Sequence, residues 1–442
     1  MKKTLMLMAL VASVNAYGGS IDYLAQQDSE YFAHPSMIGK IGTSGAFYNP
    51  AGTVFMEDGT YFKVNAQTIF KDYTMNTDKG ILSKGQNGVH NSDFASPMVP
   101  SFQFVKKDGD RSYFAHAGIA AGGGTVKYEN GISAFEVIGN KINETFGKIG
   151  GGASYLGGTT VEGSSFYYNI NFGMAQKLNE KFSVAGGIRF IYATRNLEGT
   201  GNFELNTGAL GKGSVHPINV TLDAEREAYG VGGVIGFDYK PTDKLNIGFK
   251  YETEVELDFE AKNGKNGLRT SSNNPIGNKF AGRIDSILRD ELVIKEWLVD
   301  GKRNLPAMMA LGISYDMTDK LTFLASGNYY FIEKANEDHA YDNYTNGYEA
   351  SIGFDYKLNE KYTLMAGYQY TNTGSNEGTY KDTDYALDAH MYCVGMSYSP
   401  NETRKYTLSY GFVDYQDGTS SATGTTFEKT VHTIGMSAEF KL

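Results

Sequence analysis

IGFDYKLNEKYTLMAGYQY, residues Ile352–Tyr370, alternates oily and wet positions twice over. In its first half Ile352, Phe354, Tyr356 and Leu358 alternate with Gly353, Asp355 and Lys357. A period of two puts the first set on one face of a strand and the second on the other. Asn359 and Glu360 turn the chain, after which Tyr362, Leu364, Ala366, Tyr368 and Tyr370 alternate with Lys361, Thr363, Gly367 and Gln369. The stretch predicts a β-hairpin with one apolar face and one face of charges and glycines.

The unit recurs. It reads FGMAQKLNEKFSVAGGIRFIY from Phe172, IGFDYKPTDKLNIGFKY from Ile235, LGISYDMTDKLTFLASGNYYF from Leu311 and VGMSYSPNETRKYTLSYGFVDY from Val394, with a half copy, IGMSAEFKL, from Ile434. A repeat of this length also suits a β-propeller. Propeller blades bury both faces, however, and here one face is charged. An antiparallel barrel with lipid outside and water inside fits that inversion.

Composition agrees. The 442 residues include 54 glycines, 32 tyrosines, 26 phenylalanines and a single cysteine, so no intramolecular disulfide can form. Mean hydropathy is −0.36, and the chain beyond its first residues has no apolar run long enough for a membrane-spanning helix. A closed barrel spans lipid with such mild hydropathy because alternate residues face water. A net charge of −10 argues against nucleic acid as a partner.

Met1–Ala16 begins with Lys2 and Lys3, continues through an apolar run and ends on small residues, as a secretory signal peptide does. From residue 17 to 58 the strand pattern is absent, and Asn49-Pro50-Ala51-Gly52 punctuates a turn. About fourteen strands follow, an even number as such barrels require. They are expected near 60–72, 100–106, 111–122, 165–177, 181–195, 228–240, 244–259, 307–316, 320–333, 348–357, 361–373, 386–399, 405–415 and 430–442. The short turns share one end, assigned to the periplasm together with both termini. From Tyr362 to Tyr370, steps of ~3.3 Å tilted by ~40° give about 20 Å, close to the apolar band, which makes such tyrosines interfacial girdles.

An Asn-Pro-Ala-Gly turn between a signal peptide and a first barrel strand resembles the hatch of the FadL family, outer-membrane transporters of long-chain fatty acids and other hydrophobic compounds, with a TodX-like aromatic-hydrocarbon branch. The resemblance implies an all-β transmembrane barrel, residues 59–442, plugged from within by residues 17–58, with Asn49, Pro50, Ala51 and Gly52 in gating. It further implies an inward bend in the third strand that opens the barrel sideways. The glycine run Gly122, Gly123, Gly124 falls in that strand, and such runs mark bends or close backbone approach.

Two long outer loops, 131–149 and 280–298, have helical periodicity. Phe135, Ile138, Ile142 and Phe146 share one face of the first, and Ile284, Leu288 and Trp297 one face of the second. Oily faces on the water side pack on each other or capture a greasy ligand. Leu442 ends the last strand where barrel-assembly signals usually carry phenylalanine.

The seven histidines are scattered without metal spacing, and no nucleophile motif supports an enzyme. The expectation is a cofactor-free, passive uptake channel in the outer membrane of a Gram-negative-type bacterium. Its partners would be a hydrophobic small molecule (fatty acid or hydrocarbon), outer-membrane lipid and lipopolysaccharide, and the barrel-assembly machinery. The competing reading is a surface adhesin or receptor that binds a protein through the polar loops 196–215 and 262–278.

Overall fold

A computed structural model describes residues 28–77, 88–148, 150–157, 159–206, 215–290, 292–336, 341–382 and 384–442. The expected signal peptide lies outside them. The barrel strands are β1 (Gly59–Thr77), β2 (Val89–Asp108), β3 (Arg111–Tyr128), β4 (Val161–Asn179), β5 (Phe182–Asn206), β6 (Val215–Thr242), β7 (Leu245–Glu252), β8 (Met308–Asp316), β9 (Leu321–Tyr330), β10 (Gly347–Lys357), β11 (Tyr362–Asn372), β12 (Ala389–Asn401), β13 (Arg404–Tyr415) and β14 (Thr425–Lys441). Each pairs antiparallel with the next, and β14 closes on β1 from Tyr61↔Lys441 to Thr77↔Thr425. Closure removes the free edges that lipid could not satisfy. Among the described residues no helix is long and apolar enough to cross a membrane.

Period-two patterning sets the orientation. Ile352, Phe354, Tyr356 and Leu358 are exposed outward, whereas Met365, Gln369 and Cys393 face a filled interior. The hairpin turn forms as its residues dictate: the Asn359 side chain accepts from the backbone N–H groups of Lys361 at 2.9 Å and Tyr362 at 3.0 Å. Aromatic rings stack across the outer surface, for example Tyr362 on Tyr398 with centroids 4.9 Å apart.

Several strands exceed the periodic segments. β2 begins at Val89 instead of Pro100, through Pro97, and its ladder with β1 shifts register between Gln67 and Ile69. A proline removes a ladder donor, so the chain absorbs it at an irregularity. β5 and β6 run on to Asn206 and from Val215, which turns most of the loop expected at 196–215 into paired strand. β7 stops at Glu252 instead of Phe259, and Asp258–Ala261 forms a separate short strand against Gly301–Lys302 and β6. The loop at 262–278 holds a 3-10 turn, a strand Leu268–Ser271 on β6 and the start of a helix. The first loop helix is α1 (Ser133–Gly147). The second expected helix is two, α2 (Pro275–Asp290) and α3 (Leu292–Leu298).

Residues 28–58 fold inside the lumen as short 3-10 turns, Ser29–Phe32, Thr43–Ala46 and Ala51–Phe55. Lys63 of β1, fully buried, donates at 2.9 Å to Asp28, to Glu30 and to Ser44. Lys405 of β13 also pairs with Glu30. Asp355 of β10 bonds Lys40 at 2.7 Å and His34 at 2.9 Å.

The glycines of the repeat explain how a chain fits there. A Cβ on Gly236 would press on Pro50 and Ala51, on Gly312 on Ile38, on Gly353 on His34, on Gly395 on Ala33, and on Gly435 on Ser29. Inward glycines on alternate strands thus leave a belt where the lumenal segment lies directly on the wall.

Candidate functional site

The turn at Asn49 is built into the barrel wall. Its Nδ2 donates to Asp238 of β6 at 2.5 Å, and its Oδ1 accepts from the Gly52 N–H at 3.1 Å. Asp238 also accepts from Asn246 of β7 at 2.9 Å. Pro50 and Ala51 rest against Gly236, and Asn49 itself occupies the space a side chain at Gly52 would need. These residues sit together near the short-turn end of the lumen, where Thr242 and Leu245 turn β6 into β7.

The glycine run falls beyond the end of the ladder between β2 and β3, which a Lys127 N–H to Ser92 Oγ bond at 3.2 Å joins again farther along. Strands β2 and β3 pair only from Asp108↔Arg111 to Phe102↔Ala117, although both continue well beyond. On its other edge β3 follows β4 to Tyr128, with register shifts between Ile119 and Ala121 and between Ala121 and Gly124. Gly122 has φ +103° and Gly124 φ +69°, the left-handed backbone that glycine tolerates. A Cβ at Gly122 would meet the Ser165 carbonyl. Gly123 lies in the same strand segment.

Two cavities flank this segment. The outer one, about 110 Å³, is lined by Tyr73, Gly124, Tyr128, Ile132, Val161, Leu197 and Trp297 together with Arg195, Asp382, Asp384, Tyr385 and Lys429. The inner one, about 40 Å³, brings Ala120 of β3 against Tyr31, Phe47 and Tyr48 of the lumenal segment, with Lys250, Glu252 and Arg189 at its side. Gly124 borders one cavity and Ala120 the other.

Several polar groups of the outer cavity are engaged, while Asp382 Oδ1, Asp384 Oδ1, Trp297 Nε1 and Arg195 Nε have no hydrogen-bond partner among the described residues. Lys429 donates to the Tyr385 carbonyl at 2.5 Å, and its ammonium lies 4.0 Å from the Tyr385 ring centre. The Arg195 guanidinium stacks 4.7 Å over Trp297. Asp384 pairs with Arg303 at 2.9 Å. Burial works to raise the Asp384 carboxyl, but the cations Arg303, Arg195, Lys381 and Lys429 outweigh it and hold it below the usual range. Asp382 differs. Its Oδ2 accepts from the Ala134 N–H at 2.5 Å, at the start of α1, and burial pushes its carboxyl up to about 6 against that bond.

Of the loop residues singled out by periodicity, Trp297 lines the outer cavity. Ile142, Phe146, Ile284 and Leu288 are buried in the loop core beside it. Phe146 packs edge-on to Phe280, centroids 5.9 Å apart, so these side chains close the roof without lining the space. The side chains of Phe135 and Ile138 lie outside the described ones. Sequence reading missed Arg195, Asp382, Tyr385 and Lys429. The one signal was Lys429 at an inward position of β14, opposite Tyr73 in the β1 ladder, because an unmatched inward charge needs a partner. Among the described residues no histidine, cysteine or carboxylate group clusters as a metal site.

The fold is known. A FadL homologue from Pseudomonas aeruginosa superposes with a TM-score of 0.70 at 15% identity, covering 95% of this chain and 99% of the other. The Pseudomonas putida toluene transporter TodX gives 0.64 at 14%, with 97% and 99% covered. The Ralstonia pickettii toluene transporter TbuX gives 0.55 at 15%, with 97% and 99% covered. None of the curated proteins compared with the chain matches it. A family profile described as outer membrane protein transport protein (OMPP1/FadL/TodX) matches residues 31–440. With nearly its whole length matched, this outer-membrane β-barrel belongs to the OMPP1/FadL/TodX family of transport proteins.

Proposed function

We propose that the protein is a passive channel for hydrophobic compounds, long-chain fatty acids or aromatic hydrocarbons. The ligand is caught in the outer cavity, stopped by residues 17–58 acting as a hatch, and released sideways through the gap between β2 and β3. The observation that carries this reading is the outer cavity itself. Its aromatic and aliphatic lining includes Tyr73, Tyr128, Ile132, Val161, Leu197 and Trp297 of α3, and Gly124 of the irregular strand borders it. Such a space favours apolar ligands by burial, at about 25 cal/mol per Å². The toluene transporters among the structural relatives support aromatic compounds as cargo. Passage needs no energy source, only a gradient and consumption inside. The Asn49–Gly52 turn, bonded to Asp238, is the element through which the hatch would gate.

The test combines two measurements on the purified full chain. Proteoliposomes should take up labelled oleate or toluene saturably, while planar bilayers show no steady ionic current. A large steady current would make the protein an open pore and overturn the hatch reading. Absence of saturable uptake of either compound would overturn the channel reading.

A further inference from the structure

We infer that Asp382 makes the outer cavity selective for hydrophobic ligands that carry a hydroxyl group, by accepting a hydrogen bond that a plain hydrocarbon cannot give. The inference rests on the reading of this cavity as the capture site. Asp382 lines the cavity and is 6% exposed. One carboxyl oxygen is taken by the Ala134 N–H at 2.5 Å. The other, Oδ1, has no hydrogen-bond partner among the described residues. A buried acceptor left unmatched is costly, and a carboxylate oxygen more so than an amide oxygen.

The neighbouring cations do not fill that need. Lys429 is directed to the Tyr385 carbonyl and Arg303 to Asp384, while Arg195 lies on the Trp297 ring. The elevated carboxyl of Asp382 agrees, since burial is its chief cause and no cation enters. Its bland role would be to cap α1, whose N-terminal N–H groups lack intrahelical partners. Asparagine or serine would cap as well, and capping occupies only one oxygen. What remains is a free carboxylate oxygen facing the cavity, where Asp384 Oδ1, Trp297 Nε1 and Arg195 Nε are also unpartnered, so the test is made at Asp382 itself. Sites built to hydrogen-bond a ligand hydroxyl discriminate strongly against the analogue that lacks it.

The probes are 4-butylphenol and butylbenzene, which share an apolar body and differ by one hydroxyl. Isothermal titration calorimetry on the full chain in lipid nanodiscs should show the phenol binding about tenfold tighter, as one charge-assisted hydrogen bond implies. In Asp382→Asn the side-chain oxygen still meets the Ala134 N–H, and an NH₂ donor replaces the free acceptor. The phenol advantage should then shrink several-fold, because a neutral bond from the NH₂ to the phenol oxygen replaces a charge-assisted one, with butylbenzene affinity unchanged. Equal affinities in the wild type, or an advantage of undiminished size in Asp382→Asn, would overturn the inference while leaving capture intact. A variant that loses both probes makes Asp382 a structural cap, which also overturns it. If neither probe binds the wild type, the capture reading itself fails and takes this inference with it.

Discussion

The two halves of the lumen are filled differently. At the short-turn end, residues 28–58 lie on a glycine belt and are tied to the wall by buried ions: Lys63 with Asp28 and Glu30, Lys405 with Glu30, Asp355 with Lys40 and His34. At the other end, beside the loop helices, space remains between Tyr73, Tyr128, Ile132, Val161, Leu197 and Trp297, together with Arg195, Asp382, Asp384 and Lys429. Buried charges hold one geometry because each loses its compensation when displaced. Apolar contacts are undirected and accept ligands of varied shape. On the proposed function, the lower half stays in place and the upper half receives the ligand.

The sharpest way to break that contrast is Lys63→Met. The carboxylates of Asp28 and Glu30 would stay buried without their shared ammonium, at a cost of about 3–5 kcal/mol. Expected outcomes are early proteolysis of residues 28–58 and a steady ionic current in planar bilayers, in a barrel that still shows heat-modifiable migration. A silent, protease-resistant variant would mean that packing on the glycine belt, not charge, holds the segment.

Phe146→Ala tests the other half. Phe146 is 1% exposed and packs on Phe280, so truncation should cost about 3 kcal/mol, confined to the loops. Hydrogen exchange should rise in α1 and α2, with conductance unchanged. Current through this variant would show that the roof and the lumenal segment are coupled, and the division drawn above would fail.

How much of this could be read beforehand follows from the same contrast. The lipid-facing pattern depends only on neighbours in sequence, so the hairpin at Ile352–Tyr370 and its repeats predict strands, orientation and the short-turn end. Asn49–Gly52 could be singled out as a turn because proline and glycine act locally, but not its bond to Asp238, which is 189 residues away. The outer parts of β5 and β6 read as loop because, beyond the membrane, the oily face that marks a strand is absent. The outer cavity was the least legible part. Tyr73, Arg195, Trp297, Asp382 and Lys429 come from separate elements, and only closure of the barrel brings them together. The repeat glycines were visible as a wet-face oddity, and their use as a belt needed the segment that lies on them.

Gly122→Val with Gly123→Val probes the boundary between the halves. At φ +103° a valine is strained by about 2 kcal/mol, and its Cβ would fall on the Ser165 carbonyl. The strand should straighten towards β2 or close the gap. Uptake of labelled oleate by proteoliposomes should fall, while binding measured in the same preparation persists. Undiminished uptake in a correctly assembled barrel would exclude the gap as the exit and leave a route through the lower lumen.

The smallest effect is expected from Asn49→Ala, and it grades how firmly the lower half is held. Asn49 gives up one bond to a carboxylate, and the Gly52 N–H loses its acceptor. Asp238 keeps Asn246 at 2.9 Å, so no buried charge is stranded. The loss should then be about 1–2 kcal/mol, well below that of Lys63→Met. Because Lys63, Lys405 and Asp355 still hold residues 28–40, the segment should remain in the lumen and open only briefly. Single-channel recordings should therefore show short, rare current steps, not the steady current of Lys63→Met, with heat-modifiable migration intact. Adding Pro50→Ala removes the fixed φ that keeps the turn in shape, and should lengthen the steps without making them permanent. Permanent opening by Asn49→Ala alone would make this one turn the latch. The ion pairs at Asp28, Glu30 and Asp355 would then be bystanders to closure.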